Sequence, residues 1–234
     1  PPILLPEVGR GEEKKLEKTA RAYAAAAAFV RELAPETLVL ASPHSVMYAD
    51  YFHISPGYRA EGSMRSFRAP EVTFSVPYDK AFADAVGFRA EKDGFPAGTM
   101  GERDASLDHG TMLPLYFIEK EYRDFALVRI GLSGLSLEEH YRLGMYVQEI
   151  ANTLDRRVVF VGSGDLSHKM KPEGPYGFAK EGPEYDTRIM DVMGRGAFGE
   201  LFAFDEGFCE KAAECGHRAF TIMAGAKALV EGKE

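Results

Sequence analysis

The chain has 234 residues and carries 28 Lys+Arg against 36 Asp+Glu, a formal net charge of −8. That balance repels phosphate backbones and argues against general nucleic-acid binding. A 45% hydrophobic and 27% charged make-up excludes disordered and fibrous classes.

The two cysteines do not make a disulfide framework, so a reducing, cytoplasmic setting is expected. The longest apolar run, residues 22–30, is far short of a membrane span. No signal-peptide pattern is read. The length suits one large domain, expected to occupy residues 1–234.

In chain order, residues 11–33 predict one long helix, opened by Glu12 and Glu13 at the positive end of its dipole. Residues 37–41 predict a buried strand that ends at Ser42-Pro43-His44. A second strand of alternating polarity spans 71–76; Pro77 closes it, and a helix follows through residue 86. A short helix is expected after Gly110, then a third strand at 125–131. Ser136 opens a helix to about residue 152, with Glu138 and Glu139 in its first turn. A fourth strand at 157–161 runs into Gly162-Ser163-Gly164-Asp165, and residues 181–230 read as helices broken by glycines. This alternation predicts a single α/β domain: a mixed or mostly parallel sheet covered by helices on both faces. Ligands of such sheets bind at the carboxyl ends of strands, where His44 and residues 162–168 fall.

Six histidines are present. His140, in a Glu-rich helix, reads as a solvated residue. His217, beside Arg218 at a helix start, reads as a surface residue, and His53 as a loop residue with pocket lining the weaker alternative. His44, His109 and His168 differ, because each sits in a turn rich in Gly, Pro, Ser or Asp. An acid or hydroxyl nearby can fix an imidazole tautomer for ligation or base chemistry.

The glycine segment at 162–167 resembles a dinucleotide fingerprint but has Ser167 in the third glycine place, and no acidic partner follows at the required spacing. No Gly-x-Ser-x-Gly elbow surrounds Ser163. Cys209 and Cys215 lack zinc-site spacing. In Glu214-Cys215-Gly216-His217-Arg218, either the carboxylate or the thiol could hold a metal. Helix-start N–H groups are expected to favour the thiolate.

Several stretches together carry a family resemblance: residues 1–9, Ser42-Pro43-His44, Asp108-His109-Gly110 with Pro114-Leu115, residues 163–168, and Glu214-Cys215-Gly216. They resemble the class III extradiol dioxygenases, the superfamily of the protocatechuate 4,5-dioxygenase catalytic subunit and the Memo proteins. Within it they are most similar to the dioxygenase-like domain of the AmmeMemoRadiSam system protein A group.

The resemblance implies a non-haem Fe(II) site of two histidines and one carboxylate, with open positions for substrate and O₂. One ligand histidine is expected just ahead of Pro1. His44 matches the second ligand, and Glu214 or Cys215 the third. A thiol there would favour zinc or copper over iron.

His168 is implied as the acid/base for a catechol hydroxyl, and His109 as a neighbour of substrate and O₂. Asp165 and Asp108 would orient these histidines, and Tyr176 would line the pocket. The implied activity is ring cleavage of a small aromatic diol. The alternatives are a Memo-like metal-binding or interaction protein without ring cleavage and, more weakly, a zinc hydrolase on the same histidines. An AMME-type domain or radical SAM protein of the same system, or a second copy of the chain, are the implied partners.

Overall fold

The computed structural model describes residues 1–228. Helices α1 (Pro6–Gly9) and α2 (Glu17–Leu33) lead into strand β1 (Thr37–Ser42). Next come β2 (Phe52–His53), β3 (Arg59–Met64), β4 (Ala69–Pro77), α3 (Lys80–Lys92) and β5 (Ala97–Gly98). The second half contains α4 (His109–Glu121), β6 (Ala126–Gly131), α5 (Leu137–Thr153), β7 (Val158–Gly162), α6 (Glu181–Arg195), α7 (Glu206–Ala212) and α8 (His217–Ala228).

The central sheet has the order β6-β1-β7 and is wholly parallel. Thr37 lies opposite Ala126 and Val158, Ala41 opposite Ile130 and Gly162, and Ser42 opposite Gly131. The strands therefore end level, and their loops leave from one edge. Every residue of β1 is buried, which explains its unbroken apolar run.

Alternate side chains feed two cores. Leu38, Leu40 and Leu127 pack with residues of α2, α4 and the β3–β4 hairpin. Val39, Ala41, Val128 and Ile130 pack with residues of α3, α5 and α8. Each such Leu or Ile contributes about 2 kcal/mol by leaving water. Helices thus cover both faces, as the pattern predicted. Among the described residues, no helix is long and apolar enough to cross a membrane.

Caps fix the helix starts that matter for the strand tips. The Asp108 side chain accepts from the Thr111 N–H (3.0 Å) and caps α4. Ser136 and Glu139 form a reciprocal capping box on α5. Pro114 has no N–H to give to the Gly110 carbonyl one turn earlier. That carbonyl instead accepts from Ser163 Oγ (2.7 Å), which joins the start of α4 to the tip of β7.

Helices α5 and α8 cross at bare backbone. A Cβ built at Gly225 would lie 1.9 Å from the Tyr141 carbonyl oxygen, and one at Gly144 would lie 2.0 Å from that of Ile222. Backbone on both sides leaves nothing to yield. Gly225→Ala is expected to destabilise by at least about 2–3 kcal/mol, read as a lower midpoint in urea. An unchanged midpoint would mean that the helices can separate at no cost.

Several expectations are corrected. The helix predicted for residues 11–33 is a 3₁₀ turn (Glu12–Leu16) followed by α2. The strand predicted at 71–76 belongs to an antiparallel hairpin, outside the central sheet. His140 is fully buried rather than solvated. Its Nδ1–H donates to the Ser136 carbonyl (2.7 Å), and its ring meets Phe52 edge-on. Burial pushes its pKa down to about 4, so it stays neutral.

His217 is likewise buried, at 2% exposure. Its Nε2–H donates to the Leu201 carbonyl (3.0 Å), and Nδ1 accepts from the Tyr185 hydroxyl (3.1 Å). Burial lowers its pKa as well. His53 is buried on β2, with Nδ1 2.9 Å from the Met100 carbonyl oxygen.

Candidate active site at the strand tips

Four chain segments meet beyond the ends of β1 and β7: the β1 tip, the start of α4, residues 163–168 and the turn before α8. From the β1 tip, His44 stacks on His109, the first residue of α4, with ring centroids 4.0 Å apart and planes 29° apart. The side chains of Ser42 and Asp108 hold this pair in register. Ser42 Oγ donates to Asp108 (2.5 Å) and accepts from the His44 N–H (3.2 Å). The same carboxylate caps the helix that begins with His109. Phe67 from the β3–β4 turn meets His109 edge-on at 5.2 Å. Burial, and then the neighbouring His44, lower the His109 pKa, so this ring is neutral at pH 7.

From the β7 tip, residues 163–168 run against the turn that precedes α8. Gly164 lies so close to this turn that a Cβ there would be 2.2 Å from the Gly216 Cα. The Cys215 N–H donates to the Asp165 carbonyl (3.2 Å), and the Asp165 N–H donates to Cys215 Sγ (3.1 Å). His168 Nδ1–H donates to the Ala213 carbonyl, which leaves Nε2 as a lone pair 3.4 Å from Asp165 Oδ2. Tyr176 lies beside this imidazole, with centroids 4.8 Å apart.

One ligand atom each from Asp165, His168 and Cys215 lies within 4.8 Å of the others. Pro1, Tyr23, His44, His109, Ser163 and Asp165 bound a cavity of about 20 Å³. That is the scale of one water or one ion. The Asp165–His168–Cys215 group touches this cavity through Asp165 alone, and its imidazole nitrogen, carboxylate oxygen and thiol sulfur make a donor set that suits a transition metal. On the other side of His109 lies an open groove of about 640 Å³, whose lining includes Glu61, Arg65, Phe67, Asp104 and Asp108.

Glu214 and Cys215 face opposite ways. The Glu214 carboxylate accepts from the His217 N–H (2.6 Å) at the start of α8, with the Tyr185 hydroxyl 3.5 Å away. It helps line a separate cavity of about 360 Å³ together with Cys209, His217 and Arg218. Burial raises its pKa. Cys215 is the member of the pair that joins Asp165 and His168.

The expectation of a thiolate favoured by helix-start N–H groups is corrected. Glu214 takes the His217 N–H, and burial pushes the Cys215 thiol up to about 11.

The sequence profile of the family described as the catalytic LigB subunit of aromatic ring-opening dioxygenase matches residues 1–232. The chain belongs to this family. LigB-family likeness extends to named relatives. Over its full length the chain is 36% identical to Protein CA_C1420 of Clostridium acetobutylicum and covers 51% of it. It is 28% identical to the 2-aminophenol 1,6-dioxygenase beta subunit of a Pseudomonas species, over 88% of the chain and 73% of that protein. A MEMO1 family protein of Thermococcus onnurineus is 34% identical over 47% of the chain and 42% of its own length. The chain thus spans about half the length of the first of these relatives.

Within this LigB-family fold, the sequence reading missed Phe67, Tyr23 and the buried Arg129. The signal for Arg129 was present, because it is the one charge inside the apolar run Phe125-Ala126-Leu127-Val128-Arg129-Ile130.

Proposed function

We propose that the protein is a metal-dependent extradiol-type dioxygenase that opens a small aromatic diol with O₂. The carrying observation is the convergence of His44, His109, His168, Asp165 and Cys215 at level strand tips beside an open groove. In this reading Cys215 would hold the metal together with His44, which borders the small cavity beside Asp165 but lies outside the Asp165–His168–Cys215 group. When bound, a metal such as Fe(II) would acidify the diol and bring it together with O₂.

The chain's own residues do the rest. His168 has its Nδ1–H fixed on the Ala213 carbonyl, so Nε2 is the atom that accepts a hydroxyl proton. The imidazolium so formed is stabilised by Asp165 Oδ2 at 3.4 Å. Neutral His109, held by Asp108 and Phe67, can donate one N–H to an oxygen without adding charge. The groove next to His109 would seat the ring, with Phe67 as an apolar edge.

A Memo-like metal-binding protein without ring cleavage is the alternative. One observation favours it: the donor turned into the cluster is the soft thiol of Cys215 rather than the Glu214 carboxylate. Zinc or copper would then replace iron. An AMME-type domain or a radical SAM protein of the same system remains the proposed partner.

The deciding experiment loads the protein with Fe(II) under argon and adds catechol or 2-aminophenol before admitting O₂. The expected result is O₂ uptake matched to loss of the aromatic absorbance. Metal binding without O₂ uptake on any diol or aminophenol would overturn the dioxygenase reading in favour of the alternative.

A further inference from the structure

We propose that Arg129 is a positioning residue for the groove beside His109: from inside the sheet it holds the wall formed by residues 104–108, and through Asp108 it braces the His44–His109 pair. The proposal rests on the reading above that this groove seats the aromatic ring.

Arg129 lies within β6, opposite Leu40, and is 1% exposed. An ionised guanidinium there has lost its hydration, a cost that is offset only where its donors are used. All of the bonds it donates go to connecting segments. Nε donates to Ser55 Oγ (2.7 Å), Nη1 to the Ser106 carbonyl (2.7 Å) and Nη2 to the Asp104 carbonyl (3.0 Å). Carboxylate oxygens of Glu102 and Asp108 each lie 3.9 Å away.

The carbonyls of Asp104 and Ser106 are thus drawn inward, while both residues line the groove. The Leu107 N–H donates to the Glu61 carbonyl (2.8 Å) and stitches this wall to β3, which lines the groove as well. Asp108 then carries the hold onward, accepting from Ser42 and from both Thr111 donors. Ser42 in turn accepts from the His44 N–H. One planar fork therefore sets the groove wall and backs the carboxylate that joins the β1 tip to α4. Lysine has the charge but not the fork. Methionine fills the volume with neither, and such apolar replacements of buried ion pairs commonly leave the fold intact.

The test compares wild type with Arg129→Met, Arg129→Lys and the milder Ser55→Ala. Amide exchange is read by mass spectrometry, and binding of 4-nitrocatechol to the anaerobic Fe(II)-loaded protein by absorbance. In Arg129→Met, exchange over residues 101–108 is expected to rise about tenfold or more while β1 and α5 stay protected. The 4-nitrocatechol Kd should rise by about tenfold or more at unchanged metal content, the loss of charge-assisted hydrogen bonds to the wall. Arg129→Lys should recover part of both, and Ser55→Ala should shift both less.

Unchanged exchange at 101–108, or a rise shared equally by every segment, would overturn the proposal. So would a loosened wall with unaltered 4-nitrocatechol affinity. A wild-type protein that binds no catechol would instead sink the groove's substrate role, and the exchange data would still decide whether Arg129 holds the wall.

Discussion

His168→Ala should lower kcat for ring opening by about a hundredfold or more, the usual range for loss of a positioned general base, while metal content stays at the wild-type level. The size follows from how firmly one tautomer is set. Nδ1 is committed to the Ala213 carbonyl, so the lone pair is confined to Nε2, beside Asp165. Tyr176 covers one side of the ring. A water that replaced the imidazole would be neither oriented nor paired with a carboxylate in this way. Steady-state turnover and elemental analysis of the same preparation check this prediction. Loss of metal along with activity would make His168 a ligand, as its closeness to Asp165 and Cys215 also allows.

Cys215→Ser should weaken metal binding by about a hundredfold or more, because a hydroxyl is a far poorer donor than a thiolate for zinc, copper or iron. The pH dependence gives a second signature. Burial first, and the Asp165 charge in addition, hold the thiol up at about 11 despite its backbone hydrogen bond. At neutral pH the metal must displace that proton. Affinity should therefore rise about tenfold per pH unit while pH stays below the thiol pKa, provided the other donors are already deprotonated.

The sign is fixed: a thiol is a ligand only after losing its proton, so lower pH weakens binding. Cys215→Ser should lose this slope, whereas Glu214→Gln should keep it. Zinc titrations at several pH values against a competing chelator measure both. A slope that survives in Cys215→Ser would assign the released proton elsewhere.

The central strands were readable because their sequences are short, largely apolar runs, most completely in β1, which is buried on both faces. The first strand of the hairpin was not. Arg59-Ala60-Glu61-Gly62-Ser63-Met64 buries only Ala60 and Met64, and the rest reads as loop. His140 was misjudged from its acidic neighbours. Its spacing to Leu143, Gly144 and Val147 puts it on the buried stripe of α5, and that periodicity was the better guide.

At the candidate site, the turns that carry His44 and His109 could be found in the sequence, since Ser42 and Asp108 sit where they can brace these rings. The choice between Glu214 and Cys215 could not. Adjacent side chains leave the backbone in different directions, and only the packing of α8 against Tyr185 decides which one faces the pocket. Arg129 reaches partners at 55, 104 and 106, too distant in sequence for any local pattern to reveal.

The most direct test of the metal centre is the absorption spectrum of the protein loaded with Co(II), recorded for wild type, Cys215→Ser and Glu214→Gln. A thiolate-to-cobalt charge-transfer band should appear in wild type and Glu214→Gln and be missing from Cys215→Ser. A wild-type spectrum without that band, or a band that persists in Cys215→Ser, would contradict a metal held at the strand tips by Cys215.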